Sequence, residues 1–89
     1  MFLYLGADQA IPLRRIVAII DAASIRREPA TRLFLERAKG RKAFRDVSGG
    51  EIASYVVTDT AVYACAVSGT ALKRRIERAA SGDLFDNEM

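Results

Sequence analysis

The chain has no histidine, a single cysteine and only two prolines in 89 residues. Without histidine, a lone thiol and scattered carboxylates cannot assemble the usual nucleophile and base or a closed zinc site. No catalytic residue, no metal ligand set, no cofactor and no small-molecule substrate is therefore expected. Cys65 has no second cysteine to bridge to, and its neighbours Ala64 and Ala66 predict a small buried thiol in a reducing compartment. No window holds the ~18 apolar residues that a membrane span needs, and the opening Met1-Phe2-Leu3-Tyr4-Leu5 lacks a basic leader. A cytoplasmic protein with no membrane partner is the expectation. Nor is there a repeat, a low-complexity tract or a linker, and Pro12 and Pro29 each stand where an element would begin. One domain over residues 1–82 followed by an acidic tail over 83–89 accounts for the whole chain.

Apolar material is not scarce: 51% of the residues are hydrophobic and 28% charged, which is enough to form a core. A domain this small still buries only roughly 60 to 65% of its unfolded surface, so association with further copies would add needed stability. Phe2 to Leu5 and Gln9 to Ile11, broken by Gly6 and Asp8, read as a hairpin. Ile16-Val17-Ala18-Ile19-Ile20 is too short for a typical helix and rich in β-branched residues, and reads as a buried central strand ended by Asp21. Pro29 opens an amphipathic helix with Ala30, Leu33, Phe34 and Ala38 on one face, Arg32, Glu36 and Lys39 on the other, and Gly40 as its stop. Lys42 to Val47 reads as an edge strand. Ser54 to Thr58 and Ala61 to Val67, joined through Asp59-Thr60, read as a second hairpin. Ser68 caps a final helix in which Leu72, Ile76 and Ala79 share a side, with Gly82 ending it. Helices segregated from a small, mainly antiparallel sheet with two short helices define an α+β class.

Charge is unevenly placed along this scaffold. The net charge is +3, yet residues 26–45 alone carry eight Lys or Arg against Glu28 and Glu36. Eleven of the fourteen basic residues are Arg, whose planar fork grips phosphate or carboxylate bidentately, although GC-rich coding gives the same bias. Three clusters are candidate polyanion contacts, each with a plain structural alternative. Arg14 and Arg15 at the mouth of the central strand can reach a phosphate, or remain a solvated pair. Arg41, Lys42 and Arg45 flank the Ser48-Gly49-Gly50 loop, or merely charge an edge against aggregation. Lys73 and Arg74, with Arg75, can touch a DNA backbone, or complement the helix dipole. The glycine loop lacks the Gly-Lys-Ser/Thr ending of a nucleotide-phosphate loop and reads as a surface turn. Tyr4, Tyr55 and Tyr63 could stack on bases, but each lies in an apolar strand context and reads as core.

Tyr4-Leu5-Gly6, the basic residue before Ile16-Val17-Ala18-Ile19-Ile20-Asp21, Tyr55-Val56-Val57-Thr58 and Ser68-Gly69-Thr70-Ala71-Leu72-Lys73-Arg74-Arg75 occur in an order and spacing covering nearly the whole chain. In these the chain resembles the bacterial extracellular matrix regulatory proteins RemA and RemB, the RemB branch more closely. The resemblance implies a cytoplasmic DNA-binding regulator of biofilm matrix genes that acts as a homo-oligomer. In the RemA branch, arginines before the central strand and an adjacent pair in the glycine loop look like the DNA contacts. The first set maps onto Arg14 or Arg15. The loop pair falls on Gly50 and Glu51, neither of them basic, so the pattern breaks at that contact and Arg41, Lys42 and Arg45 stand as substitutes.

The expected function is therefore binding of double-stranded DNA by a homo-oligomer, ring-like or similar, through repeated phosphate contacts. The rival is a homo-oligomeric scaffold with no DNA, whose basic helix over 29–39 docks an acidic protein.

Overall fold

A computed structural model of the chain describes residues 1–6 and 8–81. The N-terminal hairpin pairs β1 (Phe2–Gly6) with β2 (Gln9–Pro12), Leu3 opposite Ile11 and Tyr4 opposite Ala10. Period-2 alternation puts Leu3, Leu5 and Ile11 inward, while Phe2 and Tyr4 face outward. Asp8 adopts φ 60°, the left-handed conformation that Asp tolerates better than most residues. A single 3₁₀ turn, Leu13–Arg15, then feeds β3 (Ile16–Asp21).

β3, β4 (Phe44–Asp46), β5 (Ser54–Thr58) and β6 (Val62–Cys65) form one sheet in the order β3-β5-β6-β4. β3 runs antiparallel to β5 and β5 to β6, whereas β4 runs parallel to β6. The turn between β5 and β6 closes on Asp59-Thr60, with the Thr58 amide donating to the Ala61 carbonyl at 2.8 Å and the Ala61 amide to Thr58 Oγ1 at 3.0 Å. One side chain thus satisfies a turn donor that would otherwise need water.

Two cores lie on opposite faces of this sheet. On one, Leu3, Leu5 and Ile11 of the hairpin and Leu72 of α3 (Gly69–Ser81) pack on Val56 and Cys65. On the other, α1 (Ser24–Arg27) and α2 (Pro29–Gly40) cover Tyr55, Val62 and Ala64 through Ile25, Leu35 and Ala38. The architecture is α+β in three layers, with the sheet in the middle. Burial raises the pKa of Tyr55. Ser54, fully buried, donates through Oγ to the Val67 carbonyl at 2.7 Å and lies 3.1 Å from Cys65 Sγ, so the thiol is buried and partnered. The Ala71 amide donates to Ser68 Oγ at 3.2 Å, which is the predicted N-cap of α3.

Several expectations are corrected. β3 is an edge strand, not a buried central one: a register shift between Ile16 and Ala18 turns Val17 outward, 69% exposed. Tyr4 is 65% exposed and no part of the core, while Tyr55 is buried among the helix-side residues and Tyr63 is half-buried against the hairpin-side core. A one-turn helix, α1, precedes the two that were expected. The segment 42–47 contributes only three strand residues, and its partner is parallel. α2 runs through Gly40, and the left-handed residue that ends it is Lys42, φ 60°. The Lys42 amide donates to the Lys39 carbonyl at 3.1 Å and the Ala43 amide to the Ala38 carbonyl at 3.0 Å, the paired bonds of a Schellman motif with Lys42 where glycine is usual. Gly82 and the acidic tail 83–89 lie outside the described residues. Among the described residues no helix is long and apolar enough to cross a membrane.

Candidate nucleic-acid interface

The basic residues predicted from sequence divide between two ends of the sheet. Arg14 and Arg15 lie in the 3₁₀ turn just before Ile16, and Ile16 pairs with Thr58 at the β5–β6 turn. At that same end Phe44, two residues after Lys42, pairs with Val62, and the Val62 amide donates to the Ala43 carbonyl at 2.8 Å. The helix stop at Lys42 therefore delivers Arg41 and Lys42 beside the turn that Arg15 touches. Arg41 and the turn residues Thr58, Asp59 and Thr60 line one cleft. Arg14, Arg41 and Lys42 are exposed, and none has an acidic partner among the described residues.

Arg15 differs. Its Nε donates to Asp59 Oδ1 at 3.0 Å and its Nη2 to Thr60 Oγ1 at 2.6 Å, while the Asp59 amide donates back to the Arg15 carbonyl at 3.2 Å. The Asp59 carboxylate compensates the guanidinium locally, so Arg15 anchors the turn and Arg14 carries the available charge. With both side chains well exposed, this bridge contributes about 0–1 kcal/mol.

The glycine loop lies at the other end. Asp46 pairs with Ala64, and Ser54, just after the loop, pairs with Cys65 and Asp21. Arg41 and Lys42 are thus separated from Gly50 and Glu51 by the length of β4 and do not replace a loop arginine pair. Arg45, mid-strand, donates from Nη1 to the Lys42 carbonyl at 3.3 Å, which turns it back toward the α2 terminus. Inside the loop, the Ser48 hydroxyl and amide donate to Asp46 Oδ1 at 2.6 and 2.9 Å, and the Gly50 amide donates to Ser48 Oγ at 3.1 Å. The two Ser48 bonds hold the Asp46 carboxyl below the usual carboxylate range. Gly50 and Glu51 are both exposed on this hydrogen-bonded turn, and Glu51 gives it negative charge.

Lys73 and Arg74 sit on the hairpin face of the sheet, one turn into a helix that starts against Asp21; a methyl on Gly69 would lie 2.6 Å from Asp21 Oδ1. Both are exposed. Within one protomer they do not join the Arg14, Arg41 and Lys42 group. Arg75 donates to the Tyr4 carbonyl at 3.0 Å and fastens α3 to β1.

The chain matches no protein-family model and no curated protein. What the site can do therefore rests on its own geometry. Sequence reasoning missed Arg37, which lines the same cleft as Arg41 one helical turn away and likewise has no acidic partner among the described residues. Their i, i+4 spacing was the available signal. Of the residues Ala30, Leu33, Phe34 and Ala38 expected on one face of α2, Ala38 is buried whereas Leu33 and Phe34 remain 47% and 44% exposed along the cleft.

Proposed function

We propose that the chain binds double-stranded DNA as a homo-oligomer and regulates transcription, in the manner its resemblance to the extracellular matrix regulatory proteins implies. The observation that carries this reading is that Arg14, Arg41 and Lys42, exposed and without an acidic partner among the described residues, stand at the same end of the four-stranded sheet, Arg14 before one edge strand and Lys42 before the other. Three such charges make a weak phosphate contact alone, and repetition across copies multiplies it. Self-association is supported by the outward row of Phe2 and Tyr4 on β1, and by the edge strand β3 with its protruding Val17. Sequence preference would come from DNA shape and bendability more than from base edges. A reducing, cytoplasmic setting belongs to the same reading.

The test is a salt-titrated gel shift on duplex DNA. Arg14→Ala combined with Arg41→Ala should weaken binding and lower the slope of log affinity against log salt by about 0.9 for each phosphate that a copy no longer neutralises. Arg15→Ala should weaken it less. An unchanged slope in the double variant removes Arg14 and Arg41 from the interface. A second reading, a scaffold docking an acidic protein, is favoured by the cleft that Arg37 and Arg41 share with Leu33 and Phe34. Loss of partner capture without any change in DNA affinity on Arg37→Glu would decide for it.

A further inference from the structure

Between α2 and the β5–β6 turn lies a cleft of about 480 Å³. Ala38, Val57 and Val62 floor it, and Leu33 and Phe34 form a half-exposed apolar lip. Its cations, Arg37 and Arg41, have no acidic partner among the described residues, and its one carboxylate, Asp59, is already engaged by Arg15. Apolar surface beside two uncompensated guanidiniums fits an acidic segment with adjacent hydrophobic side chains. The chain contains one such segment: Asp83-Leu84-Phe85-Asp86-Asn87-Glu88-Met89 has three carboxylates, three apolar residues and no cation. Nowhere else does the sequence set two carboxylates around an apolar pair.

We propose that segment 83–89 of a neighbouring copy docks in this cleft, with Leu84 and Phe85 against Leu33 and Phe34, and Asp83 and Asp86 paired with Arg37 and Arg41. The neighbour is the source because α3, which precedes the segment, packs on the hairpin face of the sheet while α2 covers the opposite face. A chain's own segment starts on the face of the sheet opposite the cleft and would have to cross an edge of the sheet to reach it. The assignment does not rest on the DNA reading. If both hold, docking withdraws Arg41 from DNA.

The chain has no tryptophan, so Phe85→Trp in the full-length protein gives a single reporter. Its emission should shift to the blue as protein concentration rises, and the shift should vanish at high salt or with Arg37→Glu and Arg41→Glu. Adding Asp83→Lys and Asp86→Lys to that charge-reversed chain should restore it, which separates a broken ion pair from a damaged fold. Solvent-exposed emission at every concentration overturns the proposal. So does a blue shift independent of concentration, which would mean that the chain's own segment fills the cleft, and so does a shift indifferent to the two arginines.

Discussion

Moving a glycine two residues along the end of α2 should stabilise the protein. Lys42 is held at φ 60° by the two hydrogen bonds that close the helix, a conformation costing a residue with a side chain roughly 1–2 kcal/mol. Glycine avoids that cost but gives up about 0.4–1 kcal/mol through the freer unfolded chain. Lys42→Gly should therefore gain about 1 kcal/mol. Gly40 is in the helix, and a methyl there meets nothing within 4 Å, so Gly40→Ala should gain about 0.5–1 kcal/mol. The combined variant should gain about 1.5 kcal/mol, raising Tm by roughly 6 to 12 °C in a domain of this size, measured by circular dichroism melts with urea titrations at fixed protein concentration. Lys42→Ala is the control: it removes the charge and keeps the left-handed backbone, so it should stay within about 0.5 kcal/mol of the parent. If Gly40→Ala destabilises while Lys42→Gly does nothing, the helix ends at Gly40 and the reasoning about where Arg41 and Lys42 are delivered fails with it.

Ser68→Ala should cost about 1 kcal/mol by leaving the Ala71 amide without its cap, readable in the same urea titration. Ser54→Ala should cost about 1–3 kcal/mol, because the Val67 carbonyl and the Cys65 thiol lose a buried partner; an unchanged midpoint would show that water replaces the hydroxyl. The Asp46 carboxyl is lowered by its bonds from Ser48, so its contribution is present above the ordinary carboxylate pKa and lost as pH falls through the lower folded value. Protection of the Ser48 amide, taken relative to its intrinsic exchange rate at each pH, should fall over that acid window, and Asp46→Asn should abolish that pH-dependent loss.

Local chemistry was legible; partner choice was not. The β5–β6 turn and the Ser68 cap write their signals within four residues, and both are where the pattern put them. The Ile16 to Ile20 run misled because β-branched residues on both faces suit a central strand and equally an edge strand covered on both faces. Here Ile19 meets the hairpin core and Ile20 the helical one, and only the bulge at Val17 betrays the edge. Nothing periodic distinguishes a parallel from an antiparallel neighbour for Phe44–Asp46. At the site, Arg14 and Arg15 look alike in sequence, yet a carboxylate 44 residues away compensates one and spares the other. Of the apolar face expected for α2, Ala30, Leu33, Phe34 and Ala38, only Ala38 is buried, and Leu35, outside that face, is the helix's most buried residue, because the period cannot say which surface the helix packs on. Leu35 and Ala38 bury the helix, while Leu33 and Phe34 open onto the cleft.

The placement of β4 outside β6 has a kinetic corollary. The β5–β6 ladder, Ser54 to Cys65, is the only pairing in the four-stranded sheet made between near neighbours in sequence, whereas Ile20 must find Tyr55 across 35 positions of chain and β4 must reach past β5 to join β6. Neither flanking strand has an edge to join until that hairpin exists. Thr58, whose hydroxyl knits the turn, should thus govern how fast the sheet nucleates more than how fast it falls apart.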